Sequence, residues 1–370
     1  MKIALVGTRG VPARYGGFET CAEELGRRLA ARGHEVRVYC RSSLYPKRLA
    51  NYEGMTLVYL PALKVRALET LSHTALSLLH AAARGDDALL VFNLANSPLL
   101  WVARLAGKRV VLHTDGLEWM RGKWPAAGRR YYRWAERLAV KLRVVLISDS
   151  AEIQKYFERS HGRRTEYISY GAPVLESASP ALLEPFGLRP GGYFLQMARF
   201  EPENNVDLTV EAFLGLETDK ILALVGGSPY RTPYVEKLRA VQHPRVKFLG
   251  FVYDRDALRE LLTNSCAYVH GNEVGGTNPG LLQALGAGCL VVARDVVYNR
   301  EVAGPAALYF RKDAADLRAK MAWTLDRPAR LVEMKAAARK TVRERYDWDA
   351  VALAYESLFA RVISAGRAGG

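Results

Sequence analysis

Residues 270–288 carry the residue types that bind a diphosphate. The segment reads HGNEVGGTNPGLLQALGAG: a predicted strand ends, two consecutive glycines follow, and Pro279 begins a predicted helix. Proline in the first helical turn costs no hydrogen bond, and a glycine turn lets backbone N–H groups approach an anion closely. The predicted donors to the phosphates are the backbone N–H groups of Gly276, Thr277 and Asn278, in a turn that begins at Gly275. Simple capping of the helix is the alternative interpretation. Gln283, one helical turn further on, is placed to reach a ribose hydroxyl.

A second glycine-containing segment, GTRGVPARYGGFET at residues 7–20, follows the first predicted strand and opens a helix. It matches neither the dinucleotide fingerprint GxGxxG nor the phosphate loop GxxxxGK[ST]. Gly16 and Gly17 nevertheless stand at the start of the helix, where backbone N–H groups and the helix dipole favour an anion. A plain tight turn is the alternative interpretation.

The third segment, HTDGLEWMRGKW at residues 113–124, follows another strong strand. It combines carboxylates, which accept hydrogen bonds from sugar hydroxyls, with Trp119 and Trp124, whose faces can stack on sugar rings. Functional residues gather on loops that a rigid scaffold positions, which favours a binding site here. In the alternative interpretation the segment is a surface loop whose tryptophans pack into the core.

The fourth segment, MARFEPENN at residues 197–205, places Arg199 at a strand end, where a guanidinium could clamp a diphosphate. The alternative is an ordinary surface ion pair. No DxD stands on a strand-end loop, since Asp86 and Asp87 precede a strand and suit a turn. No His, Cys and carboxylate cluster has metal-ligand spacing, so we expect no metal and no separate cofactor.

These segments depend on a predicted α/β scaffold. Short β-branched runs alternate with amphipathic helical patterns, which predicts parallel sheets covered on both faces. A Pro- and Ser-rich stretch at 171–192 interrupts the alternation and reads as a hinge. We therefore predict two Rossmann-like doubly wound domains facing across a cleft. The first comprises residues 1–171, with about 347–370 crossing back to it as a C-terminal helix. The second comprises residues 172–346.

Composition limits the class of protein further. The chain has 370 residues and a net charge of +15. Residues 1–170 contain 28 Lys and Arg against 15 Asp and Glu (+13), whereas residues 171–370 contain 25 against 23 (+2). A one-sided basic surface attracts nucleic acid, anionic lipid or a polyanionic substrate, although a basic surface kept for solubility is an alternative.

The four scattered cysteines suggest reduced thiols in the cytosol. The N-terminus does not read as a signal peptide, and the most apolar region, 88–107, is too interrupted to span a membrane.

In this order, the four segments resemble the retaining GT-B glycosyltransferases of family 4, and the resemblance covers essentially the whole chain. Within that family they look most like the bacterial rhamnosyltransferase branch. The motifs that carry this are GTRGVPARYGGFET, DGLEW-RGKW, ARFEPENN and HG-x4-GGTNP-x-LL. The branch implies transfer of L-rhamnose from dTDP-L-rhamnose to a lipid-diphosphate-linked saccharide, for cell-wall or capsular polysaccharide.

The resemblance also implies roles for individual residues. Retention would proceed through an oxocarbenium-like, front-face displacement near His113, with Asp115 and Glu118 binding donor or acceptor sugar. The donor would be bound by Gly16, Gly17, Arg199, Asn204, Gly275, Gly276, Thr277, Asn278 and Gln283. The acceptor would be bound by Arg14, Tyr15, Trp119, Arg121 and Lys123. Three positions depart from the wider family, in which Glu stands at Gly275 and Gln283 and Lys at Asn204. The amide of Gln283 is compatible with a deoxyribose, which offers only one ring hydroxyl.

A lipid-linked acceptor gives the basic first half a natural partner. We expect a cytoplasmic protein, peripheral on the inner face of the plasma membrane, that binds anionic lipid and no nucleic acid. The loop Leu63–Arg84, with Lys64 and Arg66, is a candidate docking patch. The alternatives are a transferase that uses a UDP- or GDP-sugar, a nucleotide-sugar epimerase, a non-catalytic relative and a basic nucleic-acid-binding protein.

Overall fold

The structure is a computed structural model that describes residues 1–13, 16–65, 68–228, 230–326 and 328–368. It divides into two compact units. The first unit comprises Met1–Trp119, Trp124–Tyr170 and Trp348–Gly370, and the second comprises Met120–Lys123 and Gly171–Asp347. Each unit is built on one sheet flanked by helices, which confirms the predicted α/β class with two doubly wound parallel sheets.

The sheet of the first unit has eight strands in the order β3-β4-β2-β1-β5-β6-β7-β8. All neighbours run parallel except β3 and β4. The chain builds outward from β1 in one direction and then resumes at β5 on the other side, so the loops after β1 and β5 flank a topological switch point, where ligands bind in such sheets. The strands are β1 Lys2–Val6, β2 Glu35–Arg41, β3 Asn51–Tyr52, β4 Met55–Leu60, β5 Ala88–Phe92, β6 Arg109–His113, β7 Val145–Ser148 and β8 Glu166–Tyr167.

The helices of the first unit are α1 Gly17–Ala31, α2 Glu69–Ala82, α3 Leu100–Leu105, α4 Ala126–Lys141, α5 Ala151–His161 and the C-terminal helix Trp348–Ala368. Helix α2 corrects the prediction that Leu63–Arg84 is a loop. Its buried Thr74, Ser77, Leu78 and Ala81 recur at helical spacing. The C-terminal helix buries Tyr355 and Phe359. It is also tied to α1 by an Arg28–Asp349 ion pair at 2.7 Å.

The second unit has a six-stranded parallel sheet in the order β11-β10-β9-β12-β13-β14. Its switch point lies between β9 and β12. The strands are β9 Tyr193–Arg199, β10 Ile221–Gly227, β11 Val246–Gly250, β12 Ala267–His270, β13 Val291–Arg294 and β14 Ala307–Phe310. The helices are α6 Val206–Leu214, α7 Pro233–Arg239, α8 Arg255–Thr263, α9 Pro279–Gly286, α10 Val297–Ala303, α11 Ala314–Trp323 and α12 Pro328–Arg345.

Side-chain caps set the helix starts in this unit. The Thr232 hydroxyl accepts a hydrogen bond from the N–H of Val235 at 3.3 Å, and the Asp254 carboxylate accepts one from Ala257 at 2.7 Å. Such caps satisfy N–H groups that have no partner inside the helix.

Candidate functional site

The loops after β9 and β12 are locked together at the switch point of the second unit. The Asn205 side-chain amide donates to the carbonyl of Gly271 at 2.7 Å. A Cβ at Gly271 would lie 2.2 Å from the carbonyl oxygen of Asn204. Only glycine allows this approach, because real Cβ atoms do not come so close to backbone. The contact fixes the positions of the predicted diphosphate-binding residues on both loops.

The glycine turn before α9 contains backbone N–H groups that have no acceptor among the described residues. No described residue accepts a hydrogen bond from the N–H of Gly275 or Gly276. Gly275 has φ +152° and open space around it. The Asn278 side chain caps α9. It accepts hydrogen bonds from the N–H of Gly280 at 2.9 Å and from the N–H of Leu281 at 3.4 Å. The first N–H groups of α9 therefore already have acceptors. The N–H groups without a described acceptor belong to Gly275 and Gly276 of the turn. Thr277, in the same turn, is buried.

The side chains of Arg199 and Gln283 make no hydrogen bond or ion pair with another described residue. Arg199 lies half-buried at the end of β9, with no acidic partner among the described residues. Gln283 is half-buried on α9 and likewise has no described side-chain partner. Asn204 differs, because its side-chain amide donates to the carbonyl of Arg199 at 2.7 Å. Its amide nitrogen is used to hold the loop that carries Arg199.

Glu273 and His270 lie next to this site, one in ion pairs and the other as a buried neutral ring. Glu273 pairs with Arg294 at 3.1 Å and Lys312 at 2.9 Å. Those ion pairs tie it to β13 and to the residues after β14. His270, at the end of β12, is fully buried, and burial lowers the pKa of its imidazole to about 3. The ring is therefore neutral at physiological pH.

Sequence reasoning missed an aromatic pair near these loops. Phe251 and Tyr253 follow β11, stack with ring centroids 5.9 Å apart, and are 39% and 59% exposed. The ring of Phe251 also approaches Gly227, which pairs with Arg199 across the sheet. Exposed flat rings of this kind can stack on another planar ring. The pattern that could have revealed them is two aromatic residues directly after a predicted strand.

In the first unit, the loop after β1 is held by close contacts and by carboxylates. Gly7 has φ +93°, and a Cβ there would lie 2.6 Å from the Phe92 carbonyl of β5. The Glu19 carboxylate accepts from the N–H of Arg9 at 2.8 Å, and Glu23 accepts from Ala13. Two acidic side chains thus lie near the start of α1 and would disfavour an anion there.

The predicted anion-binding amides at this helix start remain available. Gly16 is the N-cap and makes no side-chain cap hydrogen bond. No described residue accepts from the N–H of Gly17 or Phe18. These donors suit a neutral or partly charged oxygen better than a free phosphate, because of Glu19 and Glu23. Arg14 and Tyr15, predicted to bind the acceptor, lie outside the described residues.

His113, at the end of β6, lies within a stack of aromatic rings. It stacks on Tyr170 at 5.4 Å and on Phe92 at 5.7 Å, and meets the edge of Phe18 at 5.5 Å. Burial lowers the pKa of His113 to about 3, so its imidazole is neutral. Its Nδ1 accepts from the N–H of Asp115 at 3.2 Å, which leaves the proton on Nε2. That Nε2–H has no described partner.

The remainder of the 113–124 segment is partly committed to packing. Asp115 adopts a left-handed backbone, with φ 63°. Glu118 is buried and accepts from the Trp124 indole N–H at 3.0 Å. Arg133 lies 4.4 Å above the Trp119 ring. Both tryptophans are half-buried and contact the protein, but neither is packed into the core as the alternative interpretation predicted.

Arg121 and Lys123 group with the second unit. Arg121 is buried and lies 4.0 Å from the Glu203 carboxylate, so its charge already has an acidic neighbour. Lys123 is half-buried.

The described residues offer neither a cluster of metal ligands nor a membrane-spanning helix. No group of three or more His, Cys, Asp or Glu side chains within that part of the chain could hold a metal ion. None of the helices in the described ranges is both long and apolar enough to cross a bilayer.

Two family models match the sequence. Residues 1–173 match the model described as Domain of unknown function (DUF1972), and residues 169–341 match Glycosyl transferases group 1. No curated protein sequence matches the chain at a significant level.

Solved glycosyltransferase structures match the chain over nearly its whole length. Sucrose-phosphate synthase from Thermosynechococcus elongatus has a TM-score of 0.84 at 18% identity, covering 98% of this chain and 99% of that one. Anabaena HepE in complex with UDP-glucose gives 0.79 at 18%, covering 99% and 100%. WaaG, involved in lipopolysaccharide biosynthesis, gives 0.73 at 17%, covering 98% and 99%. At these identities the matches establish the GT-B fold.

Proposed function

From the group 1 glycosyl transferase domain and the GT-B fold, which together support a GT-B glycosyltransferase, we propose a specific reaction. The enzyme is retaining and metal-independent, and it transfers L-rhamnose from dTDP-L-rhamnose. The acceptor is a lipid-diphosphate-linked saccharide in cell-surface polysaccharide synthesis. The protein works in the cytoplasm, peripheral on the inner face of the plasma membrane.

The proposal of donor binding rests on two kinds of hydrogen-bond donor at the switch point of the second unit: a guanidinium and backbone N–H groups, none of which has a partner among the described residues. Arg199 is a half-buried cation without a described acidic partner, and the N–H groups of Gly275 and Gly276 are unused. A guanidinium and backbone amides are the donors that stabilise a leaving diphosphate without a metal. The side-chain amide of Gln283 binds the single ring hydroxyl of a deoxyribose, a contact that does not need the charge of a carboxylate.

His113 supports the transfer step from the first unit. Its Nε2–H has no described partner and would donate a hydrogen bond to a hydroxyl of the sugar, and its neutral ring adds no charge next to the developing cation. The bond between the anomeric carbon and the diphosphate oxygen breaks, and the acceptor hydroxyl oxygen bonds to the anomeric carbon on the same face. The departing diphosphate takes the proton of the acceptor hydroxyl, so no protein base is required. Asp115 and Glu118 lie near the sugar as binding groups.

A second candidate uses a UDP-sugar as donor. The observation that favours it is the bound UDP-glucose in the solved structure of Anabaena HepE, which shares the fold. Every other element of the proposal, including the acceptor, stays the same.

A thermal-shift panel tests the donor. A ligand that binds the folded state raises the melting temperature, and the candidates are dTDP-rhamnose, UDP-glucose, UDP-GlcNAc and GDP-mannose. The rhamnosyl proposal predicts the largest shift with dTDP-rhamnose. Shifts with UDP or GDP sugars and none with dTDP compounds would sink it. Arg199→Ala should remove the shift, whereas Arg189→Ala, at a side chain 79% exposed on the same unit, should keep it.

A further inference from the structure

We propose that the outward faces of α2, α3 and α4 form one surface that binds an anionic lipid bilayer. The inference rests on the proposed function, because a lipid-linked acceptor is presented at such a bilayer. We call this surface the α2–α4 face. Its apolar members are Leu76, Leu79, Trp101, Leu105 and Trp134, and its basic members are Arg84, Arg104, Arg130, Arg137 and Lys141.

The apolar members are unusually exposed for large side chains. Leu105 is 80% exposed, Trp101 is 55% and Trp134 is 50%. Single exposed leucines are ordinary, but several neighbouring ones with two tryptophans mark an interaction surface. Tryptophan is the side chain most enriched at the boundary between lipid headgroups and hydrocarbon.

The three helices lie side by side on one face of the sheet. Helix α2 packs against α3, and both contact the short segment Leu94–Leu99, against which α4 also packs. The Arg104 guanidinium of α3 donates to the carbonyl of Leu142, directly after α4. Within α3, Trp101, Arg104 and Leu105 share a face at spacings of three and four.

Helix α4 continues that surface. Trp134, Arg137 and Lys141 recur at spacings of three and four, and all three are exposed. The buried Ala135 and Ala139 lie on the other side of the helix, toward the sheet. The exposed side of α4 is therefore basic with one aromatic ring at its centre.

The α2–α4 face carries no exposed carboxylate among the described residues of these helices. Only Glu69 and Glu136 occur in α2, α3 and α4. Glu69 pairs with the buried Arg41 at 3.2 Å. Glu136 is buried and accepts from the Tyr156 hydroxyl and from His161 at 2.8 and 2.6 Å. An acid-free basic surface complements anionic headgroups.

Other occupants fit less well. In a dimer with two-fold symmetry the same surface of both copies meets. Two α2–α4 faces would then bring basic side chains together without carboxylates to pair with them. A nucleic acid would be bound by the basic groups but would leave Leu79 and Leu105 exposed. A bilayer accepts both kinds of side chain, since leucine and tryptophan enter the interface while arginine and lysine remain at the headgroups.

Co-sedimentation of the full chain with vesicles tests the proposal. We expect binding to phosphatidylcholine vesicles that contain phosphatidylglycerol, and little binding to phosphatidylcholine alone. Arg104→Glu with Arg137→Glu should lower the partition coefficient at least about tenfold, because each basic residue contributes severalfold. Trp101→Ser with Trp134→Ser should lower it similarly and remove quenching of tryptophan fluorescence by brominated lipid.

The matched control reverses two exposed charges on the second unit, Arg189→Glu with Lys340→Glu, whose side chains are 79% and 72% exposed. Binding that drops equally in this control, or that survives both α2–α4 variants, overturns the proposal. Dimers that dissociate on Trp101→Ser with Trp134→Ser, without lipid binding, would assign the face to a second copy instead. Thermal shifts with nucleotide sugars should be unchanged in every variant, so failure here is separable from failure of the proposed reaction.

Discussion

The backbone N–H of Asp115 donates to Nδ1 of His113 at 3.2 Å and thereby fixes which nitrogen of that buried imidazole carries the proton. The left-handed backbone of Asp115, with φ 63°, turns the chain sharply just after β6. The result is one neutral ring with Nε2–H as its single donor, supported on both faces by Tyr170 and Phe92. The tautomer of His113 is thus set by the loop that follows it.

Replacing His113 with phenylalanine removes that donor and keeps the aromatic stack. We expect sugar transfer to fall about 10- to 100-fold, which corresponds to losing one hydrogen bond of ~1.5–3 kcal/mol to the reacting sugar. Initial rates with saturating donor measure it. A variant that transfers sugar at the rate of the unmodified enzyme would remove His113 from the reaction.

The same substitution has a pH signature. Burial lowers the pKa of His113 to about 3 in the folded chain, against 6.5 for an unperturbed histidine. The unfolded chain therefore binds more protons between these values, and the folded state loses stability as pH falls from about 6.5. His113→Phe should weaken this loss between pH 7.5 and pH 5, as measured by urea unfolding. An identical pH slope in both proteins would contradict the buried neutral ring.

Gln283→Glu distinguishes the two donor classes. A carboxylate can accept from both hydroxyls of a ribose, whereas an amide accepts from one, and hydrogen bonds to a charged group are the stronger ones. We expect affinity for UDP-sugars to rise by about tenfold relative to dTDP-sugars, measured by calorimetry. The matched control is Gln242→Glu, an exposed position on the same unit. Equal changes for both nucleotides would show that Gln283 does not contact the sugar of the nucleoside.

Parts of this site follow from local sequence and parts do not. Two glycines followed by Pro279 predict a turn and a helix start, because backbone geometry and a missing N–H act over a few residues. Most strands follow from short runs of β-branched, aliphatic or aromatic residues, whereas the two-residue strand β3 does not.

Contacts between segments that are separated in the sequence could not be predicted from residue types. Glu19 and Glu23 accept from the loop ten residues before them, and Glu273 pairs with Arg294 and Lys312 on later elements. A residue type alone does not tell whether a carboxylate binds a ligand or its own fold. The side chain of Asn278 caps α9, a local contact that the capping alternative allowed for.

Gly271→Ala tests whether the contact between the loops after β9 and β12 shapes the donor site. The new Cβ would lie 2.2 Å from the carbonyl oxygen of Asn204, so the loops must separate. We expect a loss of ~1–3 kcal/mol in the free energy of unfolding and weaker donor binding. Gly85→Ala is the control, because nothing lies within 4 Å of a Cβ there. Donor binding equal to that of the unmodified chain would separate this contact from the site.

Glu260 of α8 anchors the proline-rich segment that precedes β9, and its removal should have a defined pH dependence. Burial alone would raise the pKa of Glu260, but hydrogen bonds from the Ser177 hydroxyl and the N–H groups of Ala178 and Ser179 outweigh burial and lower it to about 2. The carboxylate therefore stabilises the fold above its ordinary pKa of about 4.5, and that stabilisation is lost as pH falls toward about 2.

Glu260→Gln should accordingly lower the free energy of unfolding by ~2 kcal/mol at pH 7, the usual size of a loss of charged hydrogen bonds in a buried site. The difference from the unmodified chain should shrink as the pH is lowered below 4.5, because the carboxylate of the unfolded chain then takes up a proton while that of the folded chain stays ionised until about pH 2. Urea unfolding at pH 7, 5 and 3.5 measures both effects. Glu217→Gln, at an exposed position on the same unit, should change neither. A deficit that stays constant down to pH 3.5 would show that the charge of Glu260 is not what holds the segment.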